Sequence, residues 1–103
     1  MANARDEEEE KKAGEKQPLR AASVIRAAME QLSELLSQPA EGVSSCERGE
    51  DGAWQLSVEV LELSRVPDTM SLLASYEVEV DAEGELIGYR RTRRYERGRA
   101  DRR

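Results

Sequence analysis

"WQLSVEVLELSRVPDTMSLLASYEVEV", residues 54–80, sets the architecture of this chain. Its first half alternates. Trp54, Leu56, Val58 and Val60 point one way, and Gln55, Ser57 and Glu59 the other, the period-two pattern of a strand with one face on a core. The phase then slips: Leu61 and Leu63 become the apolar positions, with Glu62 opposite. Such a slip predicts a β-bulge near Val60–Leu61. Val66–Thr69, "VPDT", reads as a turn, because Pro67 presets φ and the Asp68 side chain can accept bonds from amides ahead of it. In the second strand Leu72, Ala74, Tyr76, Val78 and Val80 share a face, with Glu77 and Glu79 opposite. Asp81–Gly84, "DAEG", is short enough to close a hairpin onto a third strand. That strand, "ELIGYRRTRRYERG", starts apolar and turns cationic. Strict alternation would place Ile87, Tyr89, Arg91, Arg93 and Tyr95 on one face, and Leu86, Gly88, Arg90, Thr92 and Arg94 on the other.

Upstream, residues 18–38 carry a helical pattern. Ala22, Ile25, Met29, Leu32 and Leu36 recur at spacings of three and four, and Ala28 and Leu35 widen the stripe, as in a helix with one buried side. Pro18 suits the first turn, and Pro39 stops the helix. The stripe is expected to pack on Trp54, Leu56, Val58, Tyr76, Val78 and Val80. Residues 39–52, "PAEGVSSCERGEDG", read as a loop rich in Gly, Ser and acids. Residues 1–17 are charged and nearly free of large apolar groups, and such a segment cannot bury enough surface to offset its ordering entropy. The expected organisation is therefore a disordered acidic tail over 1–17, one α+β domain over 18–97, and a flexible basic tail over 98–103. Within the domain, one amphipathic helix covers a three-stranded antiparallel sheet. Three strands leave two edges, so a homodimer by edge pairing is an expected arrangement.

Composition excludes much. The chain has 103 residues, no His and a single Cys. The lack of His removes Cys–His and Ser–His catalysis and the common zinc sites, so Cys46 is no catalytic nucleophile of that kind. One thiol forms no internal disulfide, which fits a reduced, cytoplasmic setting. The start has no apolar segment of the secretory type, and no run approaches the roughly 20 apolar residues of a membrane span. There is no Gly-rich phosphate loop and no metal-ligand spacing. No catalytic residue, cofactor or metal is therefore expected, and no enzyme.

The charge is polarised. Residues 1–89 hold 8 basic and 20 acidic side chains, whereas residues 90–103 hold 8 basic and 2 acidic. All eight of those cations are Arg, whose planar fork grips carboxylate or phosphate with two donors at once. Tyr89, Arg90, Arg91, Arg93, Arg94 and Tyr95 are the candidate partner-binding residues. Glu59, Glu62, Glu77 and Glu79 on neighbouring strands offer internal ion pairs as a plain structural reading of the same arginines. Nucleic acid is the third reading. It is disfavoured by the net charge of −6 and the few aromatic residues, since nucleic-acid domains usually carry a net basic field.

Three blocks in order, W…VEVLEL-x-R-x-P-D-T, L-A-x-Y-E-V-x-V-D and G-x-L-x-x-Y-x-R-x-x-R-Y, span Trp54–Tyr95. With the preceding helix, this pattern resembles the gas vesicle protein O (GvpO) family. The resemblance implies a non-enzymatic accessory or assembly role in making gas vesicles, the protein-walled buoyancy compartments of some bacteria and archaea. It implies association with gas vesicles and, as partners, other accessory proteins, an AAA-type ATPase and, as a further candidate, the shell protein. It brings no cofactor and no catalytic residue. The alternative on the same Arg cluster is a nucleic-acid-binding regulator of gas vesicle genes. The helix-then-hairpin layout also has a loose, fold-level likeness to PepSY-like α+β domains.

Overall fold

The structure, a computed structural model, describes residues 20–99. The acidic tail expected over 1–17, Pro18 and the end of the basic tail, 100–103, lie outside the described residues. The order is α1 (Ala21–Leu36), β1 (Ala40–Arg48), β2 (Trp54–Leu63), β3 (Leu72–Val80) and β4 (Leu86–Glu96). The strands form one antiparallel sheet in the order β1-β2-β3-β4. The α+β class holds, but the sheet has four strands and not three.

The additional strand is β1, in the stretch expected to be a loop. "AEGVSSCER" hides its alternation because the pairing with β2 shifts register twice, between Ala40 and Gly42 and between Val43 and Ser45. Only Ala40, Val43 and Cys46 reach the core margin. Their spacing of three is what two irregularities make of a period of two. The sheet's edges are accordingly β1 and β4.

The core lies between α1 and one face of the sheet. On that face Trp54, Leu56, Val58 and Val60 of β2 stand beside Val80, Val78, Tyr76 and Ala74 of β3, all buried. Burying a Val or Leu side chain fully is worth roughly 1.5–3 kcal/mol, so this face carries most of the cohesion. The helix meets it through Val24, Ala28 and Leu32, each 0% exposed. Ile25, Met29 and Leu36 pack at the margin. The helical stripe is thus turned from the sequence expectation. Val24 is central, Ala22 is exposed, and Leu35 is 56% exposed. Val24, Ala28 and Leu32 form a single i,i+4 row. Ser37 ends the helix in the left-handed region at φ 56°.

One side chain ties the helix to the β3–β4 turn. Gln31 on α1 donates to the Gly84 carbonyl at 2.8 Å and accepts from the Leu86 amide at 2.9 Å, so the helix clasps the β3–β4 turn. That turn is also held by the Asp81 carboxylate, which accepts from the amides of Glu83 and Glu85 at 2.9 Å each. Gly84 supplies the φ of 94° that the turn requires. The slip in β2 is real but sits slightly beyond its expected place, between Leu61 and Leu63. Its consequence differs too: Val60 stays in the core, Leu61 is half-buried on the other face, and Leu63 is 45% exposed.

Candidate functional site: the arginine strand

β4 is an edge strand paired only with β3, and it is bulged twice. Leu86 opposes Val80 and Gly88 opposes Glu79, which leaves Ile87 extra. Arg91 opposes Tyr76 and Arg93 opposes Ser75, which leaves Thr92 extra. Each extra residue reverses the phase of the residues beyond it. The strict alternation expected from sequence is therefore corrected. Tyr89, Arg91 and Arg94 lie beside Val78, Tyr76 and Ala74, on the helix-side face. Arg90, Arg93 and Tyr95 lie beside Glu77, Ser75 and Leu73, on the outer face. All six candidate residues sit on one strand, but three face each way.

On the helix-side face the hub is Glu62. Its side chain is only 7% exposed. Oε1 accepts from Arg94 Nε at 2.8 Å, Oε2 accepts from Arg91 Nη1 at 3.1 Å, and the Tyr76 hydroxyl lies at 3.5 Å. Burial pushes the Glu62 carboxyl up, but the hydrogen bonds and charges of Arg94 and Arg91 outweigh it and hold the group below its ordinary value. The bulge in β2 places Glu62 here, because residue 62 is the one left unopposed between Leu61 and Leu63. The Tyr89 ring packs on Tyr76 with centroids 6.2 Å apart.

On the outer face the hub is Glu59. It accepts from Ser75 Oγ at 2.6 Å, from the Tyr95 hydroxyl at 2.6 Å and from Ser44 Oγ at 2.8 Å. Burial raises this carboxyl, yet the three hydroxyl donors and the nearby Arg93 charge bring it below its ordinary value. Arg93 stacks its guanidinium 4.3 Å over the Tyr95 ring. Arg90 pairs with Glu77 at 2.8 Å, both well exposed.

Sequence reasoning missed one arginine with a defined structural place. Arg97 grips Glu41 of β1 with two parallel bonds of 2.9 and 2.8 Å. Its Nε lies 2.9 Å from Asp68 Oδ2, off the direction a hydrogen bond needs. Residues 97–99 form a short 3-10 turn, in which Gly98 comes against Thr69 of the 68–70 turn. Of the positions expected to open the flexible tail, Gly98 lies against Thr69, whereas Arg99 stays exposed. Asp68 sits in the expected turn, but its side chain accepts from Ser71 Oγ at 3.1 Å and not from the amides ahead, which bond to backbone carbonyls. Nothing in the local sequence signals the Glu41–Arg97 pair, which joins residues 56 apart.

Among the described residues no group of three or more His, Cys, Asp or Glu is arranged to hold a metal ion. None of the described helices is long and apolar enough to cross a membrane. What the arrangement offers chemically is a row of guanidinium donors on a sheet edge, partly matched by internal carboxylates.

The model of a family described as gas vesicle synthesis protein GvpO matches residues 6–101. Gas vesicle protein O of Streptomyces sp. (strain CB03234) is 68% identical over 88 residues, covering 85% of this chain and 68% of that protein. Gas vesicle protein O of Haloferax mediterranei is 38% identical over 71 residues, 69% of this chain and 51% of that protein. Gas vesicle protein O1 of Halobacterium salinarum is also 38% identical over 71 residues, 69% of this chain and 59% of that protein. The chain thus spans little more than half the length of the two haloarchaeal relatives. No solved structure matches.

Proposed function

This chain belongs to the gas vesicle synthesis protein GvpO family, and on that premise we propose that it is a non-enzymatic accessory protein that docks other gas vesicle proteins through β4. The supporting observation is the exposure of that strand's cations at an open edge. Arg90, Arg91 and Arg94 keep 72%, 48% and 55% of their side-chain surface exposed despite their ion pairs. Arg93 meets no carboxylate within 4.0 Å among the described residues. Arg and Tyr are favoured at the centres of protein interfaces. The partner is a protein with an acidic surface; other accessory proteins, an AAA-type ATPase and the shell protein are the ones to test.

The experiment is capture of gas vesicle proteins, by the full chain, from cells making gas vesicles. Changing Arg90, Arg91, Arg93 and Arg94 together to Ala should abolish capture while the far-UV circular dichroism stays native. Undiminished capture by a folded quadruple variant overturns the reading. Salt-sensitive retention of RNA or DNA, lost with the same variant, would move the function to nucleic acid.

A further inference from the structure

The two faces of β4 are not equivalent. On the outer face Arg90 is paired with Glu77, and Arg93, although it meets no carboxylate within 4.0 Å among the described residues, is stacked on the Tyr95 ring near the Glu59 charge. On the helix-side face two arginines share one carboxylate, Glu62. Among the described residues no other acid lies within 4.0 Å of Arg91 or Arg94. Counting the described residues alone, one positive charge there is uncompensated. The donors are also uncompensated, because a guanidinium carries five N–H groups. Arg94 gives Glu62 its Nε, and Arg91 gives its Nη1. The remaining N–H groups belong to half-exposed side chains, already positioned by a buried acid that spends little of their capacity. Pre-positioning lowers the ordering cost of binding an anion.

We propose that Arg91 and Arg94 form a receptor for a carboxylate from an acidic segment of a partner protein, and that Arg90 and Arg93 lie outside it. Resting on the docking function above, this narrows it to one face and one chemistry. A second copy of the chain is a poor occupant. Antiparallel pairing of β4 with another β4 centred on its cationic stretch sets Arg against Arg, and like charges directly opposite destabilise a sheet. The bulges at Ile87 and Thr92 further interrupt the edge. An acidic side chain placed between the two forks instead meets the unmatched charge directly, with two-donor geometry available from each.

The probe is an octamer of Glu, with an octamer of Gln as control, titrated into the full-length protein. In the unmodified protein the side-chain Nε–Hε NMR signals of Arg91 and Arg94 should shift with the Glu octamer, and those of Arg90 and Arg93 should stay. This readout needs no variant that might unfold. R91Q/R94Q should then weaken Glu-octamer binding about tenfold or more, as expected when charge-assisted two-donor bonds are lost. R90Q/R93Q should change it less than about twofold, because both residues lie on the opposite face of the strand. Equal shifts at all four arginines, or equal weakening by both pairs, overturns the receptor and leaves only a diffuse basic edge. Tighter binding of an RNA octamer than of the Glu octamer also overturns it. Capture of gas vesicle proteins separates the two levels. Loss of capture in R90Q/R93Q alone defeats this inference but leaves the docking function standing, whereas capture surviving in the quadruple Ala variant defeats both.

Discussion

The Tyr95 hydroxyl donates a 2.6 Å hydrogen bond to Glu59 across β3, joining the edge strand β4 to the inner strand β2. Ser75, on the strand between them, donates to the same carboxylate oxygen at 2.6 Å. The three strands are therefore stitched on the outer face by one acid, while the hydrophobic core holds them on the other.

Removing that stitch should cost stability without changing the fold. Tyr95→Phe deletes the donor to a partly buried carboxylate, and a hydrogen bond to a charged group contributes about 1.5–3 kcal/mol. Urea unfolding should show a lower midpoint with the slope unchanged. An unaltered midpoint would mean that water replaces the hydroxyl at no cost.

Alkaline behaviour depends on the same pair. Burial, then the Glu59 bond and charge, push the Tyr95 hydroxyl up to about 12 from 10.0. A folded value above the unfolded one favours the protonated form, so this contribution is complete below pH 10 and is lost as pH rises toward about 12. Thermal stability should fall across that window more steeply in the unmodified protein than in Tyr95→Phe.

Acid should act through the other hub as well. Glu62 and Glu59 are held below the ordinary 4.5, although burial alone would raise them. A depressed carboxyl stabilises above its unfolded value, and that gain disappears as pH falls through the folded value. Unfolding midpoints should therefore drop on acidification below pH 4.5. Glu62→Gln should flatten the drop, which circular dichroism melts taken at a series of pH values will read.

The helix–sheet contact should be the least forgiving. Leu32 is fully buried at the centre of the core, and Leu→Ala in such a place costs about 2–5 kcal/mol. A domain this small has little stability to spare, so Leu32→Ala should be largely unfolded at 37 °C by circular dichroism. Leu35→Ala, on the exposed side of the same helix, should be close to neutral.

Arg97 should govern one end of the sheet only. Arg97→Ala releases Glu41 and the neighbouring Asp68. Amide exchange should quicken at residues 68–70 and 97–99 while β2 and β3 keep their protection, because such local openings are separate from global unfolding. Uniformly faster exchange would show the contact to be global.

Much of the fold was readable because its signals are local and periodic. Strands β2 and β3 alternate cleanly over Trp54–Val60 and Ala74–Val80, and the five-residue connection after Val80 leaves the hairpin little choice of partner. Strand β1 was not readable, since its register shifts break the alternation and its Ser and Gly imitate a loop. The candidate arginines were visible as a composition. Their division into two faces was not, because it depends on the bulges at Ile87 and Thr92, which leave no mark in a row of arginines.

The order of residues alone therefore determined the class of fold, the face of each inner strand that enters the core, and the gathering of cations at one end. Those properties come from hydrophobic period and charge count, which every residue carries with it. The tertiary structure decided which acids answer which donors near the end of the chain: Glu62 takes both Arg91 and Arg94, Glu59 takes Tyr95, and Glu41 takes Arg97. Those pairings span 29 to 56 residues. They depend on register, and register is set by strand pairing and bulges that no short stretch of sequence contains.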